Sequence, residues 1–514
     1  MQITFWDGIG CIGGNKMLLE RSDGRFLLDF GTNIGRSNQF YDAFLQSRES
    51  ATGVFEPIRM GLLPNVQGLY RDDFLWGGAP DGPAVETPDA LLLSHAHADH
   101  VGAVSYLRHE VKVYCTLMSA AMIRALEETS TFSQGVCVMR MKETNEEGLI
   151  KGVRGKVSEP KTERRWRPYF SADRAPSNEL ASIWVSRVTA EEKYNEPLDL
   201  SHDLPDGVKH WPVDHSIYGA CAFGVETEAG WVVYTGDLRF HGSNRTLSEA
   251  FRREAAALGP RALIIEGTTL SPGKSAKSTD TELEVRDRAA DLMRTAEGLV
   301  VADFSQRHLE RLCLMWEAAR ASNRTLVIPA DDAYLLYMAS LAASEHEKLP
   351  QFDEIAIFVP YSTGHDKTWR KKLDDFLPDV RRLAPPEVRA NAGELVLCIG
   401  YFNLNQLPYV APKQGGLWIR SSSEPFNEEM ELDIKRLKTW LDEFGFRYAP
   451  DEEEDPLHVS GHASPEDLFE TVRAIRPQTL IPIHSEHPEL YEPLCQELGI
   501  ELWIPQQPGD QFGV

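Results

Sequence analysis

The sequence lacks several features that would each assign it to a particular class of protein. In 514 residues, no run approaches the roughly 20 consecutive apolar residues that cross a membrane. The N-terminal residues 1–7 lack the basic start and apolar centre of a signal peptide. The seven cysteines are scattered, and none form the close pairs of a zinc knuckle. We therefore expect reduced thiols, a cytoplasmic protein without a membrane partner, and any metal to be held by histidine and aspartate.

Basic residues are in the minority, with 53 lysines and arginines against 78 aspartates and glutamates and a net charge of −25. Phosphate backbones are held by lysine and arginine, so a chain this acidic needs a local basic channel to bind nucleic acid. The hydrophobic content of 42% and charged content of 25% are typical of a globular protein. Because the length exceeds one ordinary core, we expect two or three packed units.

Histidine is scarce as well, at 15 residues, and this makes one dense cluster conspicuous. Residues 95–100 read His-Ala-His-Ala-Asp-His and directly follow the apolar run 90–93. The run predicts a buried strand, whose periodicity would project the first, third and fifth residues of the cluster to one side. The sixth residue would turn toward the next element. Imidazoles and a carboxylate that converge at a strand end suit zinc, and we interpret the cluster as a metal site rather than a polar loop.

Three further candidate ligands, His215, Asp237 and His484, stand where predicted strands end. Each one alone is typical of an ordinary hydrogen-bonded residue, but together with the cluster they make seven donors, the number that two zinc ions need. Two ions a few ångströms apart lower the pKa of a shared water and hold a scissile phosphate from both sides. In this assignment one ion is held by His95, His97 and His215, the other by Asp99, His100 and His484, and Asp237 bridges them.

Turn and strand signals indicate how the chain is organised. Asp-Gly at 23–24 lies between two apolar runs and predicts a hairpin. From about residue 263 apolar runs alternate with helical patterns, which predicts a parallel sheet flanked by helices. Within this stretch, Thr279 and Glu282 resemble a capping box that opens a helix ending near Thr295.

The order of the candidate ligands resembles the metallo-β-lactamase fold, in which HxHxDH, a distal histidine, a bridging aspartate and a last histidine recur. The stretch between Asp237 and His484 is far longer than that fold needs, and the β-CASP nucleases of this superfamily carry an inserted domain there. Glu266 at a strand end and the HVSGH segment at 458–462 match their further motifs. Within this group the chain is most similar to ribonuclease J, on the segments 213–216, 235–240, 304–308, 421–428, 458–467 and 482–484.

This resemblance implies an α/β protein, a metallo-β-lactamase αββα sandwich with an inserted parallel-sheet β-CASP domain. Residues 1–268 would form the first part of the sandwich, with insertions near 54–88 and 116–207. Residues 269–456 would form the β-CASP domain, and residues 457–514 would return to the sandwich. From the resemblance we expect this chain to lack the C-terminal domain that supports dimerisation in that family, and we still expect a homodimer as a possible assembly.

The resemblance also implies a phosphodiesterase that hydrolyses RNA, as an exonuclease, an endonuclease or both, through a metal-activated hydroxide. Two divalent ions would be bound, zinc by expectation and manganese as the alternative. Asp99 or Asp237 would take a proton from the nucleophile. His462 would lie beside the scissile phosphate as proton donor or transition-state stabiliser, and His458 and Ser460 would hold a substrate phosphate.

Two carboxylates would support the ligands without binding metal themselves. Glu266 would orient a metal-ligating histidine, which fixes its tautomer and basicity, and Asp29 would act similarly near the first metal. A basic and aromatic stretch begins at Arg154 and ends with the run Arg164-Arg165-Trp166-Arg167. This run has two open interpretations, an RNA contact or a solvated loop. One departure from ribonuclease J is Ser485, which stands where that family usually has glycine after the last ligand.

Three other functions remain open at this point. A β-CASP nuclease acting on DNA is the main alternative, but such members tend to lack the last metal histidine, so His484 favours RNA over DNA as the partner. A small-molecule hydrolase such as a lactamase or thioesterase would not need the long insertion or the HVSGH segment. A scaffold that has lost its metals is disfavoured by the complete ligand set.

Overall fold

The strands of the described residues form three large sheets and one two-stranded sheet. The computed structural model describes residues 1–42, 44–76, 78, 80–129, 135–142, 150, 164–184, 200–273, 281–305, 307–361, 368–423, 425, 428–451 and 454–514. In chain order the strands are β1 (Gln2–Asp7), β2 (Lys16–Arg21), β3 (Gly24–Phe30), β4 (Ala90–Leu92), β5 (Lys112–Cys115), β6 (Val138–Arg140), β7 (Arg164–Trp166), β8 (Tyr169–Ser171), β9 (Leu200–His202), β10 (Val208–Pro212), β11 (Cys221–Thr227), β12 (Gly230–Tyr234), β13 (Ala262–Ile265), β14 (Leu299–Asp303), β15 (Thr325–Pro329), β16 (Ile355–Phe358), β17 (Arg382–Leu383), β18 (Leu395–Cys398), β19 (Gly416–Arg420), β20 (Phe446–Ala449), β21 (Thr479–Pro482), β22 (Glu501–Leu502) and β23 (Asp510–Gly513).

Helices cover the outer faces of these sheets. They are α1 (Ile34–Ser37), α2 (Glu49–Thr52), α3 (Phe55–Arg59), α4 (Ala98–Val101), α5 (Leu117–Thr129), α6 (Asn178–Trp184), α7 (Arg245–Leu258), α8 (Glu282–Thr295), α9 (Leu309–Ala321), α10 (Ala330–Ala342), α11 (Thr368–Phe376), α12 (Pro385–Ala390), α13 (Leu407–Val410), α14 (Glu428–Phe444), α15 (Pro465–Ile475) and α16 (Glu492–Leu498).

Two of the sheets pack face to face. The first has the order β23-β1-β2-β3-β4-β5-β8-β9, and the second has the order β10-β11-β12-β13-β21-β22. Their inner faces share one apolar core, in which Phe5 and Leu28 of the first sheet lie with Phe223 and Ile264 of the second. Helix α5 packs on the outside of the first sheet, and α7, α15 and α16 cover the second. This four-layer arrangement confirms the predicted αββα sandwich.

A third sheet is formed by the part of the chain that is inserted between two neighbouring strands of the sandwich. Strands β13 and β21 are paired in parallel, and the chain between them forms the order β17-β16-β15-β18-β14-β19-β20. Every pair in this inserted sheet is parallel. Helices α8, α9 and α10 pack on one face, while α12, α13 and α14 pack on the other. The predicted parallel sheet with flanking helices is therefore confirmed.

The start of helix α8 differs from its prediction by two residues. The N-cap is Thr281, whose hydroxyl accepts a hydrogen bond from the backbone N–H of Glu284. The Glu284 carboxylate in turn accepts a hydrogen bond from the backbone N–H of Thr281, so this pair forms the capping box. The predicted cap Thr279 lies outside the described residues. The helix ends at Thr295 as predicted.

The segment predicted as an insertion at 116–207 contributes β8 and β9 to the edge of the first sheet. Arg167, from the basic stretch in this segment, is fully buried. Its guanidinium donates hydrogen bonds to the carbonyl oxygens of Val104 and Leu107, at 3.0 and 2.9 Å. Both interpretations of the stretch are wrong for Arg167, which holds the fold together. Residues 154–161 lie outside the described part.

A buried cluster of charges joins the sandwich to the inserted sheet. Arg239, in the loop after β12, is fully buried. Its guanidinium lies 2.9 Å from a carboxylate oxygen of Glu282 on α8 and donates to Glu310 on α9. On the sandwich side, Arg239 Nε lies 3.4 Å from Asp214. One cation therefore serves three carboxylates, and both units depend on it.

We expect Arg239→Met to lower the free energy of unfolding by about 3–5 kcal/mol, because three buried carboxylates would lose their shared cation. Urea unfolding measures the change. The control is Arg294→Met, since Arg294 is 55% exposed and pairs with Asp291 at the surface. A surface pair contributes at most about 1 kcal/mol, so equal effects of the two substitutions would contradict the assignment.

Candidate metal centre

The histidine cluster does not continue the preceding strand as the periodicity predicted. Strand β4 ends at Leu92, and the helix α4 begins at Ala98 with His97 as its N-cap residue. The predicted projection of alternate residues to one side is therefore wrong. Asp99 and His100 project from a helical turn instead, which separates them from the two histidines before it.

The seven predicted ligands lie together in two groups. His95, His97 and His215 form one group, with His95 Nε2 and His215 Nε2 lying 3.0 and 3.2 Å from His97 Nδ1. The second group has Asp99, His100, Asp237 and His484, with donor atoms all within 4.8 Å of one another.

Asp237 lies between the two groups. Its Oδ2 is 3.1 Å from His100 Nε2 in the second group. The same oxygen is 3.8 Å from His95 Nε2 and 3.9 Å from His215 Nε2 in the first. This is the position that a bridging ligand needs, and the other oxygen, Oδ1, is buried without a hydrogen-bond partner among the described residues.

The chemistry of these donors fits divalent metal ions. Burial and the neighbouring histidines hold the pKa of His95 well below its usual value, so this imidazole is neutral, as a metal ligand must be. The ring nitrogens of His95 and His215 both approach Nδ1 of His97, and one proton cannot satisfy all three. A cation that accepts lone pairs from these nitrogens removes the conflict.

Asp29 supports the second group rather than the first, which corrects the predicted position. Its Oδ2 lies 2.6 Å from His100 Nδ1 and accepts a hydrogen bond of 2.5 Å from the hydroxyl of Tyr234. The Asp29 carboxylate also accepts from the Ser94 hydroxyl, which lies 2.9 Å from Nδ1 of His95. Asp29 therefore reaches the first group only through Ser94.

Glu266 also differs from its expected contact. Its Oε2 lies 3.0 Å from Nδ1 of His462 and accepts a 2.6 Å hydrogen bond from Thr268. The Thr268 hydroxyl lies 2.8 Å from Nδ1 of His484, so Glu266 reaches a predicted ligand only through this threonine. Sequence reasoning missed Thr268, although its position two residues after a strand-end glutamate was a signal.

His462 lies at the edge of both groups, with its side chain 21% exposed. Burial opposes its charged form, but the carboxylates of Glu266 and Asp237 outweigh burial and raise the pKa of His462 to about 9. Its Nδ1 is 3.8 Å from Asp237. The ring is thus held beside the candidate metal centre and favours the protonated form.

The other two residues of the HVSGH segment lie beside the ligand groups, not within them. The hydroxyl of Ser460 accepts from the backbone N–H of His462 at 3.1 Å, and its carbonyl lies 2.7 Å from Nε2 of His241. Burial, with the charge of Arg311 nearby, lowers the pKa of His458 to about 4. Nδ1 of His458 is buried without a hydrogen-bond partner among the described residues.

Two residues of the centre have backbones in the left-handed region. Asp29 has φ +53° and His484 has φ +51°, and only two other non-glycine residues in the described chain have positive φ. Such conformations cost roughly 1–3 kcal/mol each and persist where the surroundings determine them. In both residues the side chain is fixed by hydrogen bonds, which holds the strained backbone in place.

A further group of histidine and carboxylates, Glu282, His308 and Glu310, has donor atoms equally close together. Two guanidinium groups already neutralise these carboxylates, since Arg311 donates to Glu282 and Arg239 donates to both glutamates. An added cation would be repelled by the arginines, so this group is an ionic contact and not a second metal site.

Gly31 brings the strand β3 directly against the helix that carries Asp99 and His100. A Cβ atom at Gly31 would lie 1.6 Å from the carbonyl oxygen of Asp99 and 2.4 Å from the nitrogen of His100. Both contacts are with backbone atoms, so neither could be relieved by a side-chain rotation. Only glycine allows this approach.

We therefore expect Gly31→Ala to displace α4 and to reduce bound zinc per chain at least about twofold, because ligand geometry sets affinity. Elemental analysis of zinc-loaded protein measures this. Gly35→Ala is the control, because its nearest atom, Asn33 Oδ1, would be 3.9 Å away. Full zinc content in Gly31→Ala would show that the helix tolerates displacement.

Two family models match the chain. Residues 9–114 match the metallo-beta-lactamase superfamily, and residues 454–505 match the Zn-dependent metallo-hydrolase RNA specificity domain. The first range contains the cluster at 95–100, and the second contains His462 and His484. Both matched segments therefore supply side chains to the same pocket.

Several relatives align over most of the chain. Ribonuclease J 2 of Streptococcus pyogenes serotype M3 is 25% identical over 504 residues, covering 96% of this chain and 71% of the relative. Ribonuclease J of Helicobacter pylori is 21% identical over 510 residues, covering 95% of this chain and 56% of the relative. Ribonuclease J of Sinorhizobium meliloti is 26% identical over 320 residues, 59% of this chain and 50% of the relative. The chain thus spans about half to about seven-tenths of these relatives.

A solved structure shares the fold. A protein of unknown function from Enterococcus faecalis V583 superposes with a TM-score of 0.64 at 21% identity, over 99% of each chain. Together the matches confirm the predicted resemblance and a metal-dependent hydrolase. Among the described helices, none combines the length and the apolar character that crossing a membrane requires.

Proposed function

Because this chain is a ribonuclease J-like member of the metallo-β-lactamase superfamily, we propose that it is a metal-dependent nuclease that hydrolyses RNA. One observation carries the proposal. The segment that matches an RNA specificity domain places His462 and His484 in the same pocket as the cluster at 95–100. The segment that is similar to an RNA specificity domain therefore lies at the candidate metal ligands, which supports RNA as the substrate.

The proposed cofactors are two divalent ions, zinc or alternatively manganese. His95, His97 and His215 would hold one ion, Asp99, His100 and His484 would hold the other, and Asp237 would bridge them. When bound, the ions supply a water of lowered pKa and neutralise the charge of a scissile phosphate. Asp29 holds His100, and Glu266 holds His484 through Thr268, so the imidazoles keep one orientation.

The two carboxylates of the centre differ in their access to solvent. Asp99 is 23% exposed, while Asp237 is only 2% exposed and lies between the two ligand groups. Asp99 is therefore better placed to take a proton and release it to water. Asp237 is better suited to hold the two groups together.

His462 would donate a proton to the leaving oxygen. Its ring is anchored by Glu266, and the neighbouring carboxylates favour the imidazolium that donation requires. Ser460 supports this loop by accepting from the backbone N–H of His462. On the ground of the resemblance, His458 and Ser460 are also the proposed contacts to a substrate phosphate.

Replacing His462 by alanine should reduce RNA cleavage at least about 100-fold while leaving the metal content unchanged, because the proton donor is lost and all seven ligands remain. Initial rates on a labelled oligonucleotide and elemental analysis provide the two measurements. His487→Ala is the control, since the side chain of His487 is 34% exposed and pairs with Glu489 at 3.1 Å. Undiminished activity would remove His462 from the chemistry.

Digestion of matched single-stranded RNA and DNA, each labelled at either end, tests the function itself. Protein from which a chelator has removed the metal should be inactive. Added zinc or manganese should restore cleavage of RNA in preference to DNA. The product ladder distinguishes stepwise removal of nucleotides from internal cleavage. Faster cleavage of DNA would favour a DNA nuclease, and metal-restored protein that cuts neither polymer would refute the proposal.

The proposed location is the cytoplasm. All seven cysteines are free thiols and six of them are buried, which supports a reducing environment. The partner we propose is RNA, and a homodimer remains a prediction from the resemblance.

A further inference from the structure

The loop after β14 carries one arginine of the inserted sheet to the metal centre. Arg307 lines a small cavity together with Ala96, Ala98 and Val101, which alternate with the candidate ligands of the cluster. Ile123 and Leu126 of α5 form the apolar wall of this cavity. Arg307 therefore shares this cavity with the segment from which four of the seven ligands project.

The guanidinium of Arg307 lies within electrostatic range of both ligand groups. Burial lowers the pKa of Arg307, and the carboxylate of Asp99 opposes that shift. Burial also lowers the pKa of His97 to about 4, and the charge of Arg307 contributes to this. His97 belongs to the first group and Asp99 to the second, so the cation stands near both candidate metal sites.

Arg307 has no acceptor within the part of the chain that the structure describes, since neither a hydrogen bond nor an ion pair engages it. The side chain is half-buried. A guanidinium offers five N–H donors, and leaving them unpaired away from bulk water is unfavourable. The neighbouring Arg239 and Arg311, in contrast, donate hydrogen bonds to carboxylates and carbonyls. Arg307 is thus a cation available to an anionic ligand.

We propose that Arg307 binds the scissile phosphate of the substrate, donating two hydrogen bonds to its non-bridging oxygens. This inference rests on the proposed function, because it assumes a phosphodiester at the metal centre. Arginine pairs with phosphate in this bidentate way, and charge develops on those oxygens as the bond to the leaving group breaks. The inserted sheet would then supply a catalytic residue directly, in addition to covering the site.

The test compares Arg307→Met, Arg307→Lys and the control Arg320→Met in metal-loaded protein. Arg320 is also on the inserted unit, is 55% exposed and lies 3.5 Å from Glu354. Two substrates are used, an RNA oligonucleotide and the small diester bis(p-nitrophenyl) phosphate. For Arg307→Met we expect kcat to fall about 100-fold on both, as for loss of a donor to a developing oxyanion, with unchanged metal content and thermal unfolding. Arg307→Lys should recover part of the loss, and Arg320→Met should match the wild type.

Three results would overturn the proposal. They are an unchanged kcat on both substrates, a raised KM for RNA with normal hydrolysis of the small diester, and a loss of bound metal. The second result would mean that Arg307 holds a flanking phosphate. If the wild-type protein hydrolyses the diester but not RNA, the proposed function fails, and the diester series still decides the role of Arg307. Wild-type protein inactive on both would refute both proposals.

Discussion

The structure depends on one electrostatic constraint, the gathering of five imidazoles and two carboxylates in a space from which water is largely excluded. Such groups desolvate at a cost, and too few protons are available for them to satisfy one another. The surrounding side chains hold them nonetheless. Tyr234 and Ser94 fix Asp29, and Thr268 links Glu266 to His484, so side chains outside the two ligand groups orient the ligands.

The same segments that carry ligands also carry the ionic contact with the inserted sheet. Asp214 immediately precedes His215, and Arg239 comes two residues after Asp237. Both Asp214 and Arg239 belong to the buried cluster with Glu282 and Glu310, and Nη1 of Arg239 lies 3.4 Å from the carbonyl of Ser460. The packing of the inserted sheet on the sandwich and the geometry of the metal centre are therefore coupled through two short segments of backbone, at 214–215 and 237–239.

Much of the site could be predicted because its ligands follow apolar runs that pair in the interior. The density of the cluster at 95–100 and the strand-end positions of His215, Asp237 and His484 were enough to predict the seven residues that the structure groups. The fold class followed from the alternation of strands and helices beyond residue 263.

What could not be predicted depends on register and on local backbone. The pairing of β3 with β4 brings Asp29 beside Ser94 and His100, and no sequence pattern reports that pairing. Strand periodicity failed at Asp99 because a helix begins one residue earlier. Composition misled at Arg167, since a buried arginine that binds carbonyls looks in sequence like a solvated one.

The inserted sheet leaves and re-enters the sandwich on adjacent strands, and this has a consequence for how the molecule folds. Residues Ile264 and Ile481 pair across β13 and β21 although the whole insertion separates them in the chain. Contacts this distant in sequence slow folding, because each doubling of a loop adds about 0.6 kcal/mol of closure entropy. If the insertion forms first, it presents its two ends side by side and the loop is effectively short. The folded insertion would then hold β13 and β21 close together and so promote their pairing in the sandwich.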